Sequence, residues 1–118
     1  MITIFGIKNC DTMKKAFKWL EANDLAFEFY DYRKEGITEK MVRGFVEKLG
    51  LDLVLNKRGT TWRKLPDDVK ETIDEAATIT LLTQNEAMIK RPIFDLGGQW
   101  AIGFSKKEQA ILEELLLG

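Results

Sequence analysis

Cys10 is the only thiol among 118 residues and stands within Gly6-Ile7-Lys8-Asn9-Cys10-Asp11-Thr12-Met13-Lys14-Lys15, between an apolar run and a helical pattern. A thiol at or just before a helix N-cap faces unpaired backbone N–H groups and the positive end of the macrodipole. Both favour the thiolate. Lys8, Lys14 and Lys15 add positive charge nearby and Asp11 opposes it, so the expected pKa shift is downward. The competing reading is an apolar core filler. The polar neighbours and the well-marked helix start favour the reactive one.

What surrounds the thiol restricts its chemistry. There is no histidine, which excludes cysteine–histidine dyads, serine triads and most zinc sites, and no metal centre is expected. Dithiol oxidoreductases place a resolving cysteine three residues after the first, and Met13 occupies that place. Turnover at Cys10 would therefore draw its resolving thiol from outside, from glutathione or a glutaredoxin. No bound cofactor is expected.

Two further stretches carry candidate groups. Arg91-Pro92 opens a strand pattern; its plain reading is a solvated charge and a helix breaker. Lys57, Arg58, Arg63 and Lys64 surround Trp62 in a basic, irregular stretch that is either an anion pocket or a solvated face.

The elements that must position these groups follow from periodicity. Ile2-Thr3-Ile4-Phe5 reads as a strand covered on both faces and ended by Gly6. From Thr12, helical spacing of Met13, Ala16, Phe17 and Leu20 predicts a helix of about three turns, with Asp11 or Thr12 as N-cap. Ala26-Phe27-Glu28-Phe29-Tyr30 reads as a second strand, completing a parallel βαβ unit. Cys10 then lies at the C-terminal edge of a strand, where α/β sheets bind ligands. Further on, Thr38 opens a helix through Met41, Val42, Phe45, Val46 and Leu49 that stops at Gly50. Asp67 and Asp68 open a short helix through Val69 and Ile73, and Thr78 or Thr80 opens another carrying Leu81, Leu82 and Met88. Pro92–Asp95 and Gln99–Gly103 flank Leu96-Gly97-Gly98, a hairpin signal, and Ser105 with Glu108 forms a capping-box pattern before a final helix.

This order predicts an α/β fold: a thioredoxin-like, four-stranded mixed sheet flanked by helices, with a helical insertion at about residues 33–90, between strands 2 and 3. In that fold a cis proline, here Pro92, presents backbone groups beside the thiol. Residues 1–118 are expected to form a single such domain. With 18 basic and 19 acidic residues the net charge is −1, so no global field favours nucleic acid or an anionic membrane, and no direct nucleic-acid binding is expected. The apolar runs are too short to span a bilayer and the N-terminal one lacks the pattern of a signal peptide, so the expected location is the cytoplasm.

The motifs GIKNCDTMKKA, NKRGTTWRKL and MIKRPIFDLGG, in this order and spacing, resemble the ArsC family over nearly the whole chain. The resemblance is strongest to its small YffB-like branch, which is related to glutaredoxin-dependent arsenate reductases and to Spx transcription regulators. It implies the thioredoxin-like fold with a helical insertion, a nucleophilic cysteine at Cys10 and an arginine before the proline at Arg91. Arsenate reductases of the family hold an oxyanion with three arginines. Arg91 matches one. Asn56 stands where the second would fall, with Arg58 two positions on, as in the Spx branch, and Gly103 stands at the third. The Spx branch usually carries a second cysteine as a redox switch where Met13 lies.

The expected function is a monothiol, glutathione-dependent thiol–disulfide reductase, an oxidoreductase with Cys10 catalytic. Its substrate-binding residues are Lys8, Thr12, Arg58, Arg91 and Pro92, and glutathione is its co-substrate. The alternative is an Spx-like regulator that binds RNA polymerase through the insertion around Gly50 to Leu55. Arsenate reduction ranks third, because lost guanidinium groups weaken stabilisation of a charged adduct.

Overall fold

β1 (Ile2–Gly6) forms where β-branched and aromatic residues run together, and it occupies the interior of the sheet. The computed structural model describes residues 1–118. Its elements continue with α1 (Asp11–Ala22), β2 (Phe27–Asp31), α2 (Tyr32–Glu35), α3 (Glu39–Leu49), α4 (Leu51–Val54), α5 (Thr60–Arg63), α6 (Asp67–Thr72) and α7 (Glu75–Gln84). A 3-10 turn at Glu86–Met88, β3 (Ile93–Asp95), β4 (Trp100–Ile102) and α8 (Lys106–Leu117) complete the chain. The strand order is β2-β1-β3-β4, with β1 parallel to β2 and antiparallel to β3, and β3 antiparallel to β4. This is the thioredoxin-like mixed sheet flanked by helices that the periodicity predicts, with the helical segment between β2 and β3.

The chain divides into two compact units, residues 1–36 with 91–118, and residues 37–90. In the first, Ile2 and Ile4 of β1, Phe94 of β3 and Ala101 of β4 pack with Met13, Ala16 and Leu20 of α1 and Leu112 of α8. Phe17 stacks on Phe27 at 5.5 Å and meets Phe29 edge-on at 5.0 Å, tying α1 to β2. Ile4, Met13, Leu20 and Leu112 are wholly buried, each contributing about 1.5–3 kcal/mol of transfer free energy. The close approach of α1 to β1 requires Gly6: a Cβ there would lie 2.5 Å from the Met13 sulfur.

In the second unit α3 packs against α4 and α7. Val42, Phe45, Val54, Trp62, Ile79, Leu82 and Met88 are buried. A bridge pairs Leu55 with Ile89, and the Asn56 N–H donates to the Met88 carbonyl at 2.8 Å.

Several boundaries differ from the sequence expectation. The α7 cap is Asp74, whose carboxylate accepts from the Ala77 N–H at 2.7 Å; Thr78 instead lies buried inside the helix, donating to the Asp74 carbonyl. Met88 belongs to the 3-10 turn rather than to that helix. The basic stretch is not wholly irregular: Thr60–Arg63 makes one helical turn that buries Trp62. Short α2 and α4 lack a legible signal, because four residues are too few to display a helical period.

Candidate active site

Cys10 is itself the N-cap of α1. Its backbone is extended (φ −132°, ψ 129°), and Asp11 is the first helical residue, not the cap. The Cys10 carbonyl accepts the first helical bond, from the Lys14 N–H at 3.0 Å, while its side chain closes no cap hydrogen bond. The sulfur is half-buried. Burial is the largest single influence on its pKa and raises it. The N–H of Met13, the Arg91 side chain, the N–H of Thr12 and the positive charge of Arg91 together outweigh burial, leaving the thiol below its ordinary value of 9.0. These donors pull on the sulfur without the geometry of a closed cap, so they favour the thiolate while leaving it exposed to a reaction partner.

Arg91 reaches this place because β3 runs antiparallel beside β1, which brings the residue preceding β3 to the edge where β1 ends. The Arg91-Pro92 peptide bond is cis, as the fold implies. Pro92 is fully buried, and its carbonyl accepts from the Gly103 N–H at 2.8 Å. Arg91 is half-buried, with its Nε shielded from solvent.

Cys10, Thr12, Arg91 and Pro92 thus come together within the first unit. Lys8 is exposed in the loop leading to Cys10. Arg58 belongs to the second unit, exposed on the turn that follows Leu55. Gly103, where the family pattern has a third arginine, has φ +83°, and a Cβ there would collide with the Glu108 carboxylate. A side chain at that position is opposed both by the backbone and by the capping box of α8.

The sequence expected backbone N–H groups of the helix start to face the thiol without saying which, and the structure identifies those of Thr12 and Met13. Tyr32, the first residue of α2, is 2% exposed.

A mixed sheet of this order, with a thiol capping the first helix and an arginine before a cis proline beside it, defines the thioredoxin-like class. A family model described as the ArsC family matches residues 5–112. An uncharacterized protein of Haemophilus influenzae is 43% identical over 108 residues, covering 92% of this chain and 95% of that protein. A solved structure of a YffB protein is 41% identical with a TM-score of 0.84, covering 94% of this chain and 97% of that one. The global transcriptional regulator Spx of Streptococcus agalactiae is 27% identical over 111 residues, covering 92% of this chain and 80% of that protein. The chain belongs to the ArsC family.

Proposed function

We propose that the protein is a monothiol, glutathione-dependent thiol–disulfide reductase. The observation that carries this reading is a half-buried Cys10 thiol with lowered pKa at a helix N-cap, while the resolving position is filled by Met13, wholly buried against Gly6. The Cys10 thiolate attacks the glutathione sulfur of a mixed disulfide. The S–S bond breaks, the substrate leaves as its thiolate and takes up a proton, and Cys10 carries glutathione. A second glutathione thiolate attacks that sulfur, forming glutathione disulfide and returning Cys10 to its thiolate. Both electrons delivered to the substrate come from the two glutathiones. Lys8 and Arg91 supply positive charge for glutathione carboxylates, and the backbone around Thr12 and ahead of Pro92 supplies peptide hydrogen bonds. A glutaredoxin is the other source of the resolving thiol.

The test is mass spectrometry of the protein after exposure to glutathione disulfide, followed by reduced glutathione. The expected result is one glutathione adduct on Cys10 that reduced glutathione removes; absence of the adduct overturns the reading.

The likeness to Spx supports a second reading, a regulator that docks on RNA polymerase through α4, where Leu53 is 47% exposed. A pull-down with the polymerase α subunit that shows no enrichment removes it. Arsenate reduction is disfavoured by Gly103, which supplies no third guanidinium and whose positive φ and neighbouring Glu108 carboxylate oppose a side chain there. Arsenite release with glutathione and glutaredoxin present is the assay for it.

A further inference from the structure

Helix α8 buries Leu112 and rests Leu116 on the core, yet three of the six exposed large apolar residues of the chain also lie on it: Ile111, Leu115 and Leu117, at 52%, 38% and 48% exposure. Single surface leucines need no explanation, whereas three within two turns form a patch. Spacings of three and four put Lys107, Ala110, Ile111, Glu114 and Leu117 on one outward face, with Leu115 at its margin. Ala110, Glu113, Glu114 and Leu117, at i, i+3, i+4 and i+7, surround an open hollow of about 320 Å³ bounded at its end by Gly118. That is the four-residue hole into which a facing helix inserts a side chain. Ala110 and Leu117 stand at its ends and two carboxylates at its sides, so a lysine fits it, with the alkyl stem on the apolar ends and the ammonium between the carboxylates.

The charges of α8 run against its own dipole. Lys106 and Lys107 begin the helix, where the macrodipole favours anions, and Glu113 and Glu114 lie near its end, where it favours cations. Glu108, the acidic residue of the first turn, is engaged in the capping box, and the last turn holds no basic residue. The two lysines are six to eight residues from the two glutamates, about 10 Å along the axis, too far to pair within the helix. An antiparallel second α8 would correct both ends at once.

We propose that the outward face of α8 is a homodimer interface, on which two copies of the chain pair α8 antiparallel about a two-fold axis near Ala110 and Ile111. With that centre, Lys107 of each copy stands over the hollow of the other, at its Glu113 and Glu114, and the exchange is reciprocal as two-fold symmetry requires. The two Ile111 side chains meet near the axis. The charges select a second copy as the occupant, because the helix that supplies the acidic hollow also supplies the lysine at the spacing the two-fold needs. Two helices of about 18 Å cover less area than a standard interface, so the dimer is weak and reversible and forms at high protein concentration. It does not depend on the chemistry at Cys10.

The test is sedimentation equilibrium of the full chain from roughly 10 µM to 1 mM, in reducing buffer so that no pair is linked through Cys10. At low salt the wild type should pass from the monomer mass toward twice that mass across this range, and added salt should shift it back, because the ion pairs lie on an exposed face. Glu113→Lys with Glu114→Lys makes both ends of the face basic, and Lys106→Glu with Lys107→Glu makes both acidic. Each double variant alone should stay monomeric, and an equimolar mixture of the two should dimerise at least as well as the wild type. All four positions are exposed, so the fold should survive, checked by circular dichroism. Should either variant unfold, Ile111→Gln takes its place and should stay monomeric. A wild type that remains monomeric to the highest concentration, variants that associate as the wild type does, or a mixture that remains monomeric overturns the proposal.

Discussion

Helices α1 and α8 have twelve residues each and pack into one core cluster, yet their first turns are closed in different ways. At α8 the Ser105 hydroxyl accepts from the Glu108 N–H at 3.3 Å, and the Glu108 carboxylate accepts from the Ser105 N–H at 2.9 Å. That is a complete capping box, satisfying two orphan donors with groups of the helix itself. At α1 the cap is Cys10, whose side chain closes no such bond, and the N–H groups of Thr12 and Met13 act on a sulfur instead. Both caps have extended backbone, so local conformation does not separate them. The chemical group at the cap does: one helix start is spent on stability, and the other is kept for a charge. The arginine beside Cys10 makes the difference useful, since a thiolate there gains a cation as well as the helix N–H groups.

The largest expected effect comes from making the two caps alike. Cys10→Ser should abolish all exchange with glutathione disulfide while raising stability by about 0.5–1 kcal/mol, because serine is a good N-cap. Adduct mass spectrometry and chemical denaturation check the two halves, and residual exchange in the serine variant would break the comparison. Next in size, Arg91→Met should raise the alkylation midpoint of Cys10 toward 9.0 and slow its reaction near neutral pH. An unchanged midpoint would mean that the helix start alone sets the thiol. Ser105→Ala should cost about 1 kcal/mol in denaturation and leave the Cys10 midpoint where it is. A moved midpoint would show that the two helix starts are coupled. Smallest is a pH effect on stability. The native thiol loses its proton more readily than the unfolded one, so between the two pKa values the unfolded chain binds more protons. The stability of the wild type relative to Cys10→Ser should therefore rise with pH through the folded value, level off above the unfolded value of 9.0, and be lost as pH falls. Denaturation midpoints of both proteins from pH 5 to pH 10 measure it, and a flat difference would contradict the lowered thiol.

Much of this contrast was legible before the structure. Ser105 and Glu108 announce the box at α8 by type and spacing, and both partners lie within one turn. Cys10 announced itself by the switch from strand to helix pattern, although Asp11 and Thr12 competed for the cap. An ordinary capping preference points to them, and the extended backbone at Cys10 overrode it. The α7 start was misplaced for a related reason: Asp74 and Thr78 are both good caps, and only burial of Thr78 distinguishes the helix interior from its end.

The sequence by itself determined the βα start, the monothiol arrangement forced by Met13, the hairpin at Gly97-Gly98 and the capped final helix, all of which depend on residues close along the chain. The tertiary structure alone decided which cation reaches the thiol and that a side chain at Gly103 would meet Glu108. The division has a physical cause. Periodicity and capping are short-range properties of covalent neighbours, whereas sheet register joins distant segments through hydrogen bonds and packing that leave no fixed spacing in the chain.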